Sequence, residues 1–279
     1  MFSVLWSPIP SYMIELASHN PYGLHLRSPV IIAPGCAGAG VPRDLDATLI
    51  GALATRTATR SSAPLTQARW ARTPAGVLFE RLPTINFRTL IKEDARRWSR
   101  AHVPILISLR GSADDLIDMV AQLEPIEGIA GVLLEADQIE LEAAVTDVRA
   151  VTPLPILALL PPTPAIGSLA RTIVAAGADA LIVCGYPQAA VAQNDTIVTG
   201  SLVGPTLAPT TIQQLTLVAA AVNAPLIAHG GIADASIAQH CLRAGASAAL
   251  IDAALYGDQD APQRIAATLR NAASDAVTS

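Results

Sequence analysis

Residues 224–253 read APLIAHGGIADASIAQHCLRAGASAALIDA. The first run, APLIAHGG, is short and apolar and closes on Gly230 and Gly231. Residues 233–244 then carry apolar side chains at helical spacing, and Gly245 supplies the left-handed residue that commonly ends a helix. ASAALIDA is a second apolar run. Neither run alternates polar with apolar residues, which is the pattern of parallel strands covered on both faces. Strand, helix and parallel strand in about 30 residues make one βαβ unit.

The same beat runs outward from this unit to Ser28. Strand-like runs are SPVIIAPG (28–35), ALATRTAT (52–59), VPILISL (103–109), GIAGVLLEA (128–136), LPILALL (154–160) and ADALIVC (178–184). Helical stretches fall at 44–53, 87–101, from Ser112 onward, and at 138–151, 166–176, 210–222 and 262–273. Ser112 is followed by Asp114 and Asp115, a capping residue with early acids. Eight such units predict an α/β fold, a single-domain (β/α)8 TIM barrel over residues 28–279. Residues 1–27 are expected to form an N-terminal extension, with 13–26 a hairpin closing the barrel bottom.

Composition agrees. Hydrophobic residues make up 51% and charged residues 15% of 279, enough to bury a large core. The net charge is -5 without long runs of one sign, which argues against a nucleic-acid partner. Cys36, Cys184 and Cys241 form no CxxC pair, so no metal site is expected. Free thiols in an odd number point to a reducing compartment. The N-terminus lacks a basic n-region and is broken by Pro8 and Pro10. No stretch reaches the roughly 18 apolar residues of a membrane span. Cytoplasmic localisation is the expectation.

Several loops share one likeness. NPYGLHLRSPVIIAPG (20–35), GALATRTAT (51–59), TPAGVL (73–78), GSLVGPTLAP (200–209), and APLIAHGGI followed by AGASAALIDAA resemble, in order, segments of the class 1 dihydroorotate dehydrogenases. The resemblance spans about residues 20–257. It implies an FMN-binding barrel, oxidation of dihydroorotate to orotate, and a place in pyrimidine biosynthesis. By the same resemblance the flavin contacts fall on Ala33, Gly35, Thr57, Gly204, Gly230 and Gly231.

The chain departs from the family pattern where the chemistry sits. The family's Asn-x-Ser-Cys-Pro-Asn loop after strand 4, which carries the catalytic base, is absent; the segment reads GVLLEADQIELE. Glu135 and Asp137 are the nearby acid–base candidates, with strand-end and helix-start carboxylates as the other reading. The family's strand-2 lysine is Arg56, whose retained charge suits a small anionic ligand or a structural ion pair. The strand-5 lysine is Leu159, which cannot support charge on a flavin ring. The family's Asn-Thr after strand 6 is Cys184-Gly185, and its substrate-loop Asn is Phe79. Asp252 stands where a Gly-Thr or Gly-Ser turn meets the flavin phosphate. A carboxylate there repels phosphate by roughly a kcal/mol or more at about 4 Å.

Two further features carry plain readings. His229 at the mouth is titratable. Arg69, Arg72, Arg81 and Arg88 flank the substrate-loop region as a solvated or anion-attracting cluster. Two functions follow. One is a non-catalytic homologue, a homo-oligomer or a subunit of a complex, that kept the barrel and lost the flavin site. The other is an FMN-dependent oxidoreductase acting on dihydroorotate or a related small anion.

Overall fold

The computed structural model describes residues 13–38, 45–61, 70–193 and 196–278. Two short strands, β1 (Ile14–Glu15) and β2 (His25–Leu26), pair antiparallel as a hairpin. The barrel strands are β3 (Val30–Ile32), β4 (Ala52–Ala54), β9 (Ile105–Arg110), β10 (Ile129–Glu135), β11 (Ile156–Leu160), β12 (Ala180–Val183), β15 (Leu226–His229) and β16 (Ala248–Ile251). All neighbours are parallel, and β9 pairs with both β4 and β10, so the ring closes. The architecture is a single-domain (β/α)8 barrel. Between β4 and β9 lie β5 (Ala58–Thr59), β6 (Trp70–Thr73), β7 (Gly76–Phe79) and β8 (Ile85–Asn86); between β12 and β15 lie β13 (Gln188–Gln193) and β14 (Thr196–Val203).

Among the described residues seven helices surround the ring: α1 (Phe87–Trp98), α2 (Ala113–Ala121), α3 (Leu141–Val151), α4 (Ile166–Ala175), α5 (Ala208–Ala219), α6 (Ala235–Arg243) and α7 (Ala261–Thr278). Side chains cap several of them. Asn86 Oδ1 accepts from Arg88 N at 3.0 Å, Ser112 Oγ from Asp115 N at 3.3 Å, and Asp234 Oδ1 from Ile237 N at 2.9 Å. The short helix expected over 44–53 is not there. Asp44 lies outside the described residues, and Asp46 turns the chain instead: its carboxylate takes both the N–H and the hydroxyl of Thr48, and its carbonyl takes Leu49 N–H. Such local side-chain bonds compete with helix.

Two apolar layers follow from the strand alternation. Ile32, Leu53, Ile107, Leu134, Ala158 and Val183 face outward and meet the helices in one core. Ile31, Ala52, Leu106, Leu133, Leu157, Ile182, Ile227 and Leu250 face inward and fill the barrel. Leu16, Ala17, Leu24 and Leu26 of the β1–β2 hairpin pack into the same inner cluster. The inward register carried upward by two residues, or by four in β9, brings Arg110, Glu135, Leu159, His229 and Asp252 to the C-terminal ends of the strands.

The long loops are more ordered than their composition indicates. β6, β7, β14 and β13 form a four-stranded antiparallel sheet, with Val203 opposite Val77 and Trp70 opposite Phe79. A small core of Ala71, Leu78 and Val198 supports it. Each hairpin alone is a weak signal, and the sheet exists only because two loops distant in sequence meet. Among the described residues no helix is long and apolar enough to cross a membrane.

Candidate functional site

A cavity of about 570 Å³, counting its open mouth, sits at the C-terminal end of the barrel. This is where barrels of this kind carry their sites, because each strand end delivers one side chain into a shared space. The wall is mostly apolar: Pro34, Leu82, Pro83, Leu133, Leu159, Leu250 and Leu255. The polar lining is Gly35, Thr57, Arg110, Glu135, Tyr186 and His229.

Two side chains, His229 and Tyr186, form the cavity's polar floor, and Asp252 lies behind them. His229 ends β15, and its Nε2 lies 3.0 Å from the Tyr186 hydroxyl. Their rings meet edge to face with centroids 4.7 Å apart, an arrangement aromatic pairs favour. Asp252 follows β16 and is fully buried, with its Oδ2 4.0 Å from His229 Nε2. Neither Asp252 oxygen has a partner of good hydrogen-bond geometry, nor has His229 Nδ1. Burial pushes the Asp252 carboxyl up to about 7, with the nearby Tyr186 hydroxyl drawing it back down. Burial holds His229 neutral by lowering it to about 4. The contact between them is therefore not an ion pair at neutral pH. Burial also raises the Tyr186 phenol, helped by the Asp252 charge, and raises the neighbouring Cys36 thiol to about 12. Cys36 is inert as a nucleophile in that state.

At the rim, Arg110 Nη2 donates to Glu135 Oε2 at 2.8 Å across adjacent strands β9 and β10. These are the only two residues of opposite charge in the cavity wall among the described residues, and they neutralise one another.

The expected site residues separate into two groups. Glu135, Gly35 and Thr57 reach the cavity. Thr57 Oγ1 is 3.0 Å from Ser108 Oγ at the cavity's inner edge. Asp137 does not reach it. It is exposed, in the turn before α3, where its carbonyl accepts Glu140 N–H. Arg56 also points elsewhere. The ladder lapses between β4 and β5, Thr55 Oγ1 accepts Ser108 N–H, and Arg56 swings outward to Glu93 at 2.9 Å and Asp94 at 3.1 Å on α1. Its alternative reading as a structural ion pair matches this placement, and a free mouth cation does not.

Among the expected flavin contacts, Ala33 is fully buried in the inner core and donates its N–H to Ile251 O at 3.0 Å. Gly204 packs against the β6–β7 turn, where a Cβ would stand 2.6 Å from Ala75 O. Gly230 and Gly231 both have positive φ, +102° and +77°. A Cβ on Gly231 would lie 2.3 Å from Ala208 N at the start of α5. That turn is glycine because the helix start abuts it. Of the arginine cluster, Arg72, Arg81 and Arg88 are exposed, with Arg72 set over the Trp70 ring at 5.9 Å; Arg69 lies outside the described residues. No group of three or more His, Cys, Asp or Glu able to hold a metal occurs among the described residues.

Sequence reasoning missed Tyr186. The sequence carried only Gly185 before it as a signal; the structure shows that Cys184, alone among the described non-glycine residues, has a positive φ, +70°. Such a kink at a strand end re-aims the next side chain.

The family model for dihydroorotate dehydrogenase matches residues 16–272. A protein of Desulforudis audaxviator named dihydroorotate dehydrogenase B (NAD(+)), catalytic subunit, is 30% identical over 273 residues, covering 88% of this chain and 89% of that protein. Proteins of the same name from Shouchella clausii and Geotalea uraniireducens are each 28% identical, covering 85% and 92% of this chain and 86% and 91% of theirs. With the barrel and its mouth on that footing, the chain belongs to the dihydroorotate dehydrogenase family.

Proposed function

We propose that this chain is a divergent dihydroorotate dehydrogenase-family barrel that does not run the flavin reaction and serves as a non-catalytic, complex-forming homologue with a ligand-binding mouth. The observation that carries this reading is Asp252. An FMN phosphate needs backbone N–H donors and local positive potential. The chain offers a sealed carboxylate after β16 with no good donor of its own. It also offers a Gly230-Gly231 turn packed tightly on α5. In its ionised form Asp252 would oppose a phosphate at that turn, by about 4 kcal/mol for two charges about 4 Å apart at an effective dielectric near 20. Leu159, at the place the resemblance gives to the flavin lysine, and Leu133 make that part of the cavity wall apolar. The residues present do not fit the cofactor.

Among the described residues the wall keeps no strong base for a carbon acid: Glu135 is held by Arg110, Asp137 is outside the cavity, no thiol lines it, and burial weakens the His229 imidazole as a base by lowering it to about 4. The second reading, an FMN-dependent oxidoreductase of dihydroorotate or a related small anion, draws on the relatives named as catalytic subunits and on Gly35 and Thr57 at the mouth. An absorbance spectrum of the purified protein, followed by fluorescence titration with FMN, separates the two. The expected result is a colourless protein that leaves FMN fluorescence unquenched. Stoichiometric flavin would establish the second reading in place of the first.

A further inference from the structure

The chain has no unbroken run of one charge, yet charge is spread unevenly over its helices. Residues 87–100, α1 and the turn after it, hold five cations and two acids. Residues 111–148, which include α2 and most of α3, hold ten acids and no Lys, Arg or His.

The buried side of α1 is Phe87, Leu90, Asp94 and Trp98. Arg88, Lys92 and Arg96 recur at intervals of four and form one row on its exposed side. Both acids of this helix are turned to Arg56, and the row of three cations has no ion-pair partner among the described residues. Next to α1 around the ring come α2 and α3. There Asp114, Glu124, Glu142 and Asp147 are exposed and without an ion pair among the described residues, since Arg60 meets only Asp115 and Asp118.

The acidic side also carries exposed apolar groups. Ile139, between Asp137 and Glu140, is 96% exposed, and Val151 at the end of α3 is 44% exposed. In one copy such side chains stay in water, and burial stabilises them only against a partner. The aliphatic stems of Arg and Lys can cover an isoleucine while their charged heads meet the carboxylates around it.

The two faces are complementary but stand side by side on one convex surface, so they cannot meet within one copy. A two-fold axis between them sets α1 of each copy against α2 and α3 of the other, and the contact closes at two copies. A polyanionic surface broad enough to cover α1 would also meet the acids beside it, which repel it.

We propose that α1 and the α2–α3 face form the interface of a two-fold homodimer, in which Arg88, Lys92 and Arg96 of one copy meet the acids around Ile139 of the other. The inference rests on the complex-forming part of the proposed function and names the partner; flavin at the mouth would leave it standing.

Sedimentation velocity on the full chain tests it. The chain should be dimeric at about 0.01 M salt, and about 1 M salt should weaken the dimer at least about tenfold, because the screening length falls from about 30 Å to about 3 Å. The triple variant Arg88→Glu, Lys92→Glu, Arg96→Glu and the double variant Glu142→Lys, Asp147→Lys should each be monomeric at low salt. An equal mixture of the two should form a mixed dimer, since both contacts regain opposite charges, and that dimer shows that each variant is folded. Ile139→Ser should weaken the parent dimer about tenfold through lost burial. A monomeric parent chain at low salt, a dimer indifferent to salt, assembly beyond two copies, a mixture that stays monomeric, or undiminished association of Ile139→Ser would each overturn the proposal. Binding of a monomeric chain to phosphatidylglycerol vesicles at low salt would overturn it in favour of an anionic surface. FMN titration of the same samples reads the mouth alone. Flavin uptake overturns the non-catalytic reading, whereas a monomeric, flavin-free protein overturns only this interface.

Discussion

His229 and Asp252 approach within 4.0 Å, yet burial acts on them in opposite directions. It suppresses the imidazolium, lowering His229 from 6.5 to about 4, and suppresses the carboxylate, raising Asp252 from 3.8 to about 7. Between about pH 4 and 6.5 the native pair holds one proton, on Asp252. The unfolded pair also holds one, on His229. Stability therefore changes little with pH across that window on account of these two groups.

Single substitutions should expose the hidden slopes. In Asp252→Asn only His229 remains, and the unfolded chain binds the extra proton below 6.5, so stability should rise as pH climbs from about 4 to 6.5. In His229→Gln only Asp252 remains, and stability should fall from about pH 4 to 7 as the unfolded carboxylate ionises first. Above pH 7 Asp252→Asn should be the more stable protein, by on the order of 3 kcal/mol relative to the parent chain. Urea midpoints across pH measure both slopes, and parallel profiles for the two variants would refute the assignment.

Arg56 should behave as a structural residue. Arg56→Met leaves Asp94, 3% exposed in its side chain, with only the longer 3.6 Å contact to Arg97. A loss of about 1–3 kcal/mol is expected. Urea midpoints measure it, and a midpoint equal to the parent chain's would refute the structural role.

The fold could be read from sequence because barrel strands and their helices are local and strongly patterned. Ile166–Ala175 ends at the stop that Gly177 announces, and Leu157 or Ile227 faces inward by simple alternation. The mouth resisted reading where the pattern breaks. Arg56 left the inward register because the ladder lapses at Thr55–Thr57, which no local composition encodes. The sheet of β6, β7, β14 and β13 depends on pairing residues more than 120 positions apart, such as Leu78 with Leu202. Asp252 was identified as foreign to a phosphate site, but its link to His229 through Tyr186 needed three loops in space.

The two positive-φ turns near the mouth should respond differently to alanine. Gly35→Ala incurs only the conformational cost of φ +78°, because nothing lies within 4 Å of the new carbon. About 1–2 kcal/mol is expected. Gly231→Ala adds a collision with Ala208 N at 2.3 Å and should cost several-fold more, or prevent folding. Thermal melts of the two variants side by side test this ranking, and equal melting temperatures would reject it.

Charge selection at the rim should be reversible with one substitution. Glu135→Gln removes the partner of Arg110 and leaves its guanidinium free at the cavity wall. Benzoate, titrated into the parent chain and the variant and followed by NMR, should show saturable binding in the variant alone, and raising the salt concentration should weaken it. Continued exclusion of benzoate would mean that the field of Asp252, not the pairing of Arg110 with Glu135, sets the selection.

Leu106, Leu133, Leu157 and Leu250 fill the barrel interior, and Leu16, Leu24 and Leu26 of the β1–β2 hairpin pack into the same cluster. Among the described residues the cavity therefore has no passage through the barrel, and whatever enters past Leu82 and Pro83 of its wall must leave past them. A bulkier residue at that threshold would slow arrival and departure by the same factor. Occupancy at equilibrium would stay where it was, while the time a visitor spends inside would lengthen.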